Sequence, residues 1–434
     1  MHAIMSERYQ SSEAMLERAL RVIPVGSQTF SKSYTQYPRG VSPHFIERGQ
    51  GAHVVDVDGN RYLDFVNALC CVTLGYCDPD VDAAVRAQLD NGVTFTLAHP
   101  LEVEVAERLV DLIPCAEQVR FGKNGSDATS AAIRVARAYT GRDHIATCGY
   151  HGWHDWYIGA TARSLGVPAA VQALTHTFAY NDIDDLDRVL RAQPNAFAAV
   201  ILEPMSSREP DAGYLEAVRD LAHRHGALLI LDETITGFRF SLGGAQALFG
   251  VTPDLATFGK GLANGHPLSA IAGPGDIMST MEDIFFSGTF GGETLSLAAA
   301  AAVLDKLQRE PVIEHLHATG SRLQRLLADL IDREALTDIF SVSGHPAWSF
   351  LQMRDHARAS AWDIRTLFLQ EMFARGILTI GTHNLSYAHD DAAIDALMAA
   401  HAEVLPMVAA HARNGTLHEA LRCKPLEPLF KVRS

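Results

Sequence analysis

The chain has no Cys-x-x-Cys pair, no cluster of basic residues, and no apolar run near the ~18 residues needed to span a bilayer. Its six cysteines, Cys70, Cys71, Cys77, Cys115, Cys148 and Cys423, are scattered over 434 residues. That scatter argues against a metal site or a disulfide framework and predicts free thiols in a reducing, cytoplasmic setting. Lys and Arg number 36 against 51 Asp and Glu, a formal charge of −15. Such an acidic chain argues against nucleic acid or an anionic membrane as the main partner, while a small-molecule pocket remains free to be locally positive. The segment Met1 to Gln10 has no apolar h-region, so no signal peptide is expected. No GxGxxG follows the first strand, and GxxxxGK with Ser or Thr is missing, which weighs against a nucleotide-binding enzyme. There is no internal repeat or low-complexity tract.

What is present is a large supply of core residues. At 47% hydrophobic, the chain can bury a sizeable core and build more than one domain. Ser11 to Val22 carries apolar residues at helical spacing (Met15, Leu16, Leu20, Val22) before the stop Pro24-Val25-Gly26. His53 to Phe65 alternates about Asp58-Gly59 and predicts a β-hairpin. Between about residues 75 and 310, short apolar runs alternate with helix-length segments. The candidate strands are Val119-Phe121, His144-Cys148, Phe197-Leu202, Ala227-Leu231, Leu255-Phe258 and Ser269-Ala272. That pattern predicts an α/β layer with a mostly parallel sheet. Beyond about residue 315, amphipathic helices with candidate strands near Phe340-Val342, Ala347-Met353 and Leu378-Ile380 predict a smaller α+β domain.

The chemistry concentrates at the ends of the apolar runs. Ala227-Leu231 ends in Asp232-Glu233, and Lys260 follows in the loop Phe258-Gly259-Lys260-Gly261. A charge ending such a run is costly unless paired, and only one of two successive carboxylates can face a given side of the strand. A buried carboxylate followed by a glycine-flanked lysine suggests pyridoxal phosphate. The amine would form a Schiff base with the aldehyde, and Asp232 would keep the pyridine nitrogen protonated. Asn124-Gly125-Ser126-Asp127 opens a helix with Ala128, Ala131, Ala132, Val135, Ala136 and Tyr139 on one face and Gly141 as its stop. Ser126 or Asp127 can cap it, and its free N–H groups can hold an anion. Gly149-Tyr150-His151-Gly152-Trp153-His154-Asp155-Trp156 follows a strand and offers either a stacking surface or an aromatic cluster. Glu203, in Leu202-Glu203-Pro204, is as much a structural candidate as a cofactor contact. Thr289 lies in the polar loop Ser287 to Thr294, either as a second phosphate contact or as plain loop.

The ordered set Asn-Gly-Ser-Asp-Ala-Thr, Gly-Tyr-His-Gly, Leu-Glu-Pro, Leu-Asp-Glu-Thr-Ile-Thr-Gly-Phe-Arg, Gly-Lys-Gly and Ser-Gly-Thr-Phe resembles the class III aminotransferases. It is most similar to their glutamate-1-semialdehyde aminomutase branch, down to Asp56-Val57-Asp58-Gly59-Asn60-Arg61-Tyr62, and the likeness covers roughly residues 10 to 400. The resemblance implies a fold-type I domain binding pyridoxal 5'-phosphate, with a small domain built from both chain ends. The expected divisions are 1–74 (joining the small domain), 75–312 (cofactor domain) and 313–434 (small domain). It also implies a homodimer with active sites at the interface. Residue by residue, Lys260 would be the Schiff-base lysine and proton shuttle, and Asp232 the pyridinium partner. Tyr150 would lie over the ring, Gly125 and Ser126 would hold the phosphate, and Thr289 would reach the neighbouring subunit's cofactor. Two positions depart from the pattern. Thr234 replaces a valine that packs on the ring, either to bond the cofactor or substrate through its hydroxyl or to pack through its methyl group, and Ser27 to Lys32 lacks the arginine of a Ser-Pro-Val-Arg stretch, with Lys32 or a residue elsewhere as a candidate substitute.

The implied activity is transfer of an amino group from a small-molecule donor to an aldehyde or ketone. The Trp153-His154-Asp155-Trp156 loop suits a keto-sugar or another natural-product intermediate. The alternatives are a 2,1-aminomutase, which keeps the same intermediate bound, and a pyridoxal-phosphate epimerase or racemase.

Overall fold

The computed structural model describes residues 7–428. The chain forms two compact units. The first comprises the residues up to Leu69, Thr73–Asp78 and the chain from Glu314 onward; the second comprises Cys70–Val72 and Pro79–Ile313. In the first unit, helix Gln10–Leu20 buries Leu16 and Ala19. Val22, counted on its apolar face from sequence, lies beyond the last turn and is 78% exposed. Strands β1 (Ile46–Gln50), β2 (His53–Asp56) and β3 (Arg61–Asp64) pair antiparallel. Fully buried Asp56 organises the β2–β3 turn: it accepts the backbone N–H groups of Asp58 and Asn60 at 3.0 and 2.8 Å and the Tyr62 hydroxyl at 3.0 Å. A short acidic side chain can replace backbone partners in this way.

The second unit is built on a seven-stranded sheet of order β4-β10-β9-β8-β7-β5-β6. Its strands are β4 (Gln118–Gly122), β5 (His144–Cys148), β6 (Thr175–Thr177), β7 (Phe197–Leu202), β8 (Leu228–Asp232), β9 (Leu255–Phe258) and β10 (Ser269–Gly273). Only β10 runs against its neighbours. Strands β7 to β10 are buried throughout, which is why they read as unbroken apolar runs. Their side chains alternate between two cores. Ala199, Ile201, Leu228 and Ile230 pack with Ala132, Val135 and Ala136 of helix Gly125–Thr140. Val200, Leu202, Leu229 and Leu231 pack with Leu186 and Leu190 of helix Ile183–Ala192 and with Val218 and Leu221 of helix Tyr214–Arg224. By the same alternation Asp232 shares the face of Leu228 and Ile230, the one covered by helix Gly125–Thr140. The carboxyl ends of β5, β7, β8 and β9 share one edge of the sheet, where ligands of open α/β sheets bind.

The later part of the first unit supplies β11 (Phe340–His345), β12 (Trp348–Met353) and β14 (Thr382–Asn384) as a second antiparallel sheet. The strand expected at Leu378-Ile380 is β13 (Ile377–Leu378), and it pairs parallel with β3 instead. Helix Asp391–Asn414, with a mean hydropathy of 1.4 over its most apolar window, is long and apolar enough to cross a membrane. Half of that window is buried, with Ile394, Leu397, Val404, Leu405 and Val408 in the core, so it serves as a core helix.

Three buried histidines give this unit a pH dependence. Burial holds His383 and His389 down at about 4, and pushes His401 well below the ordinary value. Both ring nitrogens of His401 lack a partner among the described residues, and its ring stacks on Phe368 at 5.9 Å. All three are neutral when folded and regain a pKa of about 6.5 when unfolded, so the unfolded chain binds more protons. Stability is complete above pH 6.5 and falls toward pH 4, by roughly 3 kcal/mol for each fully expressed shift of this size. Denaturant melts at pH 7 and 4.5 should show this loss. His401→Leu should reduce it and stabilise the fold by about 1–3 kcal/mol through removal of an unsatisfied buried polar group.

Candidate active site

Asp232 is 4% exposed and closes the apolar strand β8. Its Oδ2 accepts a hydrogen bond from His151 Nδ1 at 2.8 Å. Its Oδ1 accepts the Thr234 hydroxyl at 2.6 Å, the Thr234 backbone N–H at 3.1 Å and the Thr257 hydroxyl at 3.0 Å. Burial alone would push this carboxyl up, but the hydrogen bonds from His151 and Thr234 outweigh it and hold it below the usual carboxylate range. Burial likewise pushes the His151 imidazole down, and Asp232 outweighs it, so the ring is held above its ordinary value. With one ring nitrogen on the Asp232 carboxylate and the other on the Cys148 carbonyl, both facing acceptors, the surroundings favour the doubly protonated ring. Glu233 points away: its carboxylate accepts the N–H groups of Ala245 and Gln246 at 2.7 and 2.8 Å and caps helix Gly244–Phe249.

His151 reaches Asp232 because the loop after β5 turns sharply. Gly149 and Gly152 have φ of 104° and 101°, in the left-handed range. A Cβ on Gly152 would lie 2.2 Å from Ser126 Oγ, and one on Gly149 would lie 2.7 Å from Glu203 Oε2. His151 Nε2 faces the Cys148 carbonyl at 3.0 Å, and its ring lies against Trp156 and Tyr157 at 6.2 and 5.4 Å. Glu203 accepts the Tyr150 backbone N–H at 3.0 Å; burial pushes its carboxyl up, and His151 pulls the other way. The Tyr150 ring is half-exposed and sits edge-on to Tyr157. The second half of this loop does not offer the stacking surface expected from sequence. Trp156 is 7% exposed and donates to Ser130 Oγ at 3.0 Å, and His154 bonds the same hydroxyl at 2.6 Å. Of the two indoles only Trp153 stays exposed, beside His154.

Helix Gly125–Thr140 begins against this cluster. Asn124 is its N-cap, and Asp127 accepts the N–H groups of Asn124 and Lys123 at 2.8 and 3.0 Å. Ser126 Oγ accepts the Trp153 N–H at 3.3 Å. Thr234 joins the pieces: Cβ atoms placed on Gly125 and on Gly259 would lie 3.2 and 3.3 Å from its methyl group. Gly259 precedes Lys260, a half-buried residue held at φ 44° at the start of the short turn Lys260–Ala263. A lysine in the left-handed region stores roughly 1–3 kcal/mol of strain, and such strain concentrates at functional sites.

Gly125, Ser126, Tyr150, Glu203, Asp232, Thr234 and the lysine loop thus come together, and the structure adds His151 and Thr257. Sequence reasoning took His151 as a satisfied histidine or a stacking ring. Its position two residues past Gly149, in a loop following a parallel strand, was the available signal. No described contact joins Thr289 to this group. It lies exposed in a turn beside Phe285 and Phe290, which are 82% and 59% exposed. That loop borders a groove of about 830 Å³ lined by Glu102, Val103, Phe121, Met281, Phe286 and Gly291. Lys32, the candidate for the missing arginine, is exposed on the first unit.

An apolar parallel sheet with an amine, a buried acid and a helix N-terminus at its carboxyl edge defines a class of cofactor-dependent α/β enzymes. Residues 36–391 match the family described as Aminotransferase class-III. Among curated relatives, the 3-aminobutyryl-CoA aminotransferase of Cloacimonas acidaminovorans is 36% identical over 390 residues, covering 88% of this chain and 93% of that protein. The glutamate-1-semialdehyde 2,1-aminomutase of Roseiflexus castenholzii is 35% identical over 435 residues, covering 93% and 99%. Among solved structures, the FumI protein of Sphingopyxis sp. MTA144, in its PLP internal aldimine form, superposes with a TM-score of 0.86 at 28% identity, covering 96% of this chain and 99% of that one. The chain belongs to the class III aminotransferases and is an enzyme whose cofactor is pyridoxal 5'-phosphate.

Removing one partner of a buried ion pair strands the other. His151→Ala should therefore destabilise the larger unit by about 3–5 kcal/mol, measured by chemical unfolding against the unchanged chain.

Proposed function

We propose that this chain moves an amino group between a small-molecule amino donor and an aldehyde or ketone whose carbonyl is not that of a 2-oxo acid. The observation that carries the chemistry is the Asp232–His151 pair, an ionised carboxylate kept below its usual range at the carboxyl edge of the sheet. The side chains present fit pyridoxal 5'-phosphate. Asp232 offers an anionic acceptor to a protonated ring nitrogen, Lys260 offers the amine that binds the aldehyde carbon covalently, and Tyr150 offers a ring beside the plane. The first N–H groups of helix Gly125–Thr140, at Gly125 and Ser126, suit the phosphate. Glu203 fixes Tyr150 through its backbone. When bound, the cofactor supplies an electron sink that eases proton removal from the substrate carbon. Lys260 Nζ would be the base that takes the proton from the substrate carbon and returns it. Asp232, held in place by His151, would stabilise the positive charge of a protonated ring nitrogen.

Two facts favour the acceptor class. The relative named 3-aminobutyryl-CoA aminotransferase acts, by its name, on an acyl thioester whose amine is on carbon 3. The stretch Ser27 to Lys32 has no arginine to hold a substrate carboxylate. The likeness to a 2,1-aminomutase over 435 residues supports a second reading, in which donor and acceptor are one molecule. Six scattered cysteines without a Cys-x-x-Cys pair accord with a reducing cytoplasm.

Borohydride should fix the cofactor to Lys260, seen by peptide mass spectrometry, and Lys260→Ala should abolish that adduct and lower transamination by about a thousandfold. A panel of 3-oxoacyl thioesters, keto-sugars and semialdehydes is assayed with external amino donors. Amine formation on either of the first two supports the proposal. An isomerised semialdehyde product without external donor would replace it with the aminomutase reading, and solvent deuterium at the substrate carbon without loss of amine would replace it with an epimerase.

The same reading includes a homodimer. Exposed Phe285 and Phe290, with Leu97 (82% exposed) and Val103 (58%), lie at or near the 830 Å³ groove and form an apolar surface that a second copy can cover. It would bring Thr289 to the partner's cofactor. Phe285→Asp with Phe290→Asp should yield monomers in sedimentation equilibrium and weaken cofactor retention; an unchanged dimer would remove this interface.

A further inference from the structure

Thr234 stands where three parts of the site meet. Its methyl group fills the space between Gly125, at the helix start, and Gly259, before Lys260. That packing leaves its hydroxyl turned to Asp232, with Oγ1 2.6 Å from Oδ1. The hydroxyl is therefore spent on the carboxylate. Oδ1 also accepts the Thr234 N–H at 3.1 Å and the Thr257 hydroxyl at 3.0 Å. A carboxylate oxygen has about two lone-pair directions, so three donors saturate it. Oδ2 accepts only from His151 Nδ1 among the described residues and keeps one direction open.

We propose that Thr234 is a positioning residue that commits Asp232 Oδ2, rather than Oδ1, to the cofactor's ring N–H and keeps the carboxylate a weak base, so that the proton stays on the ring nitrogen. This rests on the reading of Asp232 as the ring's partner. Its physical basis is that each donor to an ionised carboxylate stabilises the anion and lowers its affinity for a further proton. Two threonine hydroxyls and one backbone N–H act on the same oxygen. Thr234 is the one whose methyl is clamped by backbone on both sides, so its hydroxyl cannot swing toward a ligand without vacating that packing. A valine would fill the same space and donate nothing.

The test uses holoenzyme loaded with pyridoxal phosphate carrying nitrogen-15 in the ring, read by NMR in the unchanged protein and in Thr234→Val, Thr234→Ser and Thr257→Val. Thr234→Val should move the ring nitrogen signal downfield, toward the unprotonated heterocycle. Thr234→Ser should restore it, and Thr257→Val should shift it in the same direction. Turnover should fall about tenfold in Thr234→Val, the worth of one charge-assisted hydrogen bond. A fully loaded Thr234→Val holoenzyme with an unmoved signal overturns the proposal. If that variant fails to load, an unmoved signal in loaded Thr257→Val overturns it equally. Absence of a borohydride-fixed adduct at Lys260 in the unchanged protein would instead show that the reading of the site had failed, and the role of Thr234 would fall with it.

Discussion

A negative charge buried at the end of an apolar strand is the constraint around which the larger unit is arranged. Asp232 is tolerable there only because His151 and two threonines reach it, and each reach dictates local structure. His151 needs the Gly149 and Gly152 turns, those turns need the space beside Ser126 and Glu203, and Thr257 needs β9 in register beside β8. Removing the charge would relax all of these requirements together. That is the mark of a group retained for chemistry, since an apolar residue of similar volume would stabilise the same position at no desolvation cost.

The sheet explains why so many functional elements arrive at one place. Parallel strands end on the same edge, and each can leave a different side chain there: Gly149 to His151 after β5, Glu203 after β7, Asp232 on β8, Lys260 after β9. Helix Gly125–Thr140 covers the face of the sheet on which Asp232 lies and points its N-terminus at the same edge. Strain is confined to the connections. Lys260 sits in the left-handed region, while the strand before it is regular and wholly buried.

The fold was legible where burial is two-sided. Phe197-Leu202, Leu255-Phe258 and their neighbours are apolar enough to be placed from composition alone, and the strands form there. The edge strand Thr175–Thr177 escaped notice, because an edge position lets Thr-His-Thr form a strand without an apolar run. Asp232 and the glycine-flanked Lys260 stood out as charges attached to buried text. The Asp232–His151 pairing did not, since 81 positions separate the two and a histidine in an aromatic loop has many ordinary uses. Side-chain direction was equally hidden. Trp156 turns inward to Ser130, and the Thr234 hydroxyl turns to the carboxylate, choices made by neighbours distant in the chain. At the helix start, Asn124 takes the cap and Asp127 reaches back to the chain before it, because an acidic residue three positions into a helix can bond the N–H groups preceding it.

The pairing of β13 with β3 sets an order on how this protein comes into being. Strand β3 emerges from the ribosome before the larger unit, and its parallel neighbour, Ile377–Leu378, only after it. At ~5–20 residues per second, the β1–β3 meander waits tens of seconds with one edge open, while the entire larger unit is synthesised. An open strand edge is a template for foreign strands. The bonds of Asp56 to Asp58, Asn60 and Tyr62 lie wholly within the hairpin turn, so they need nothing from the later chain.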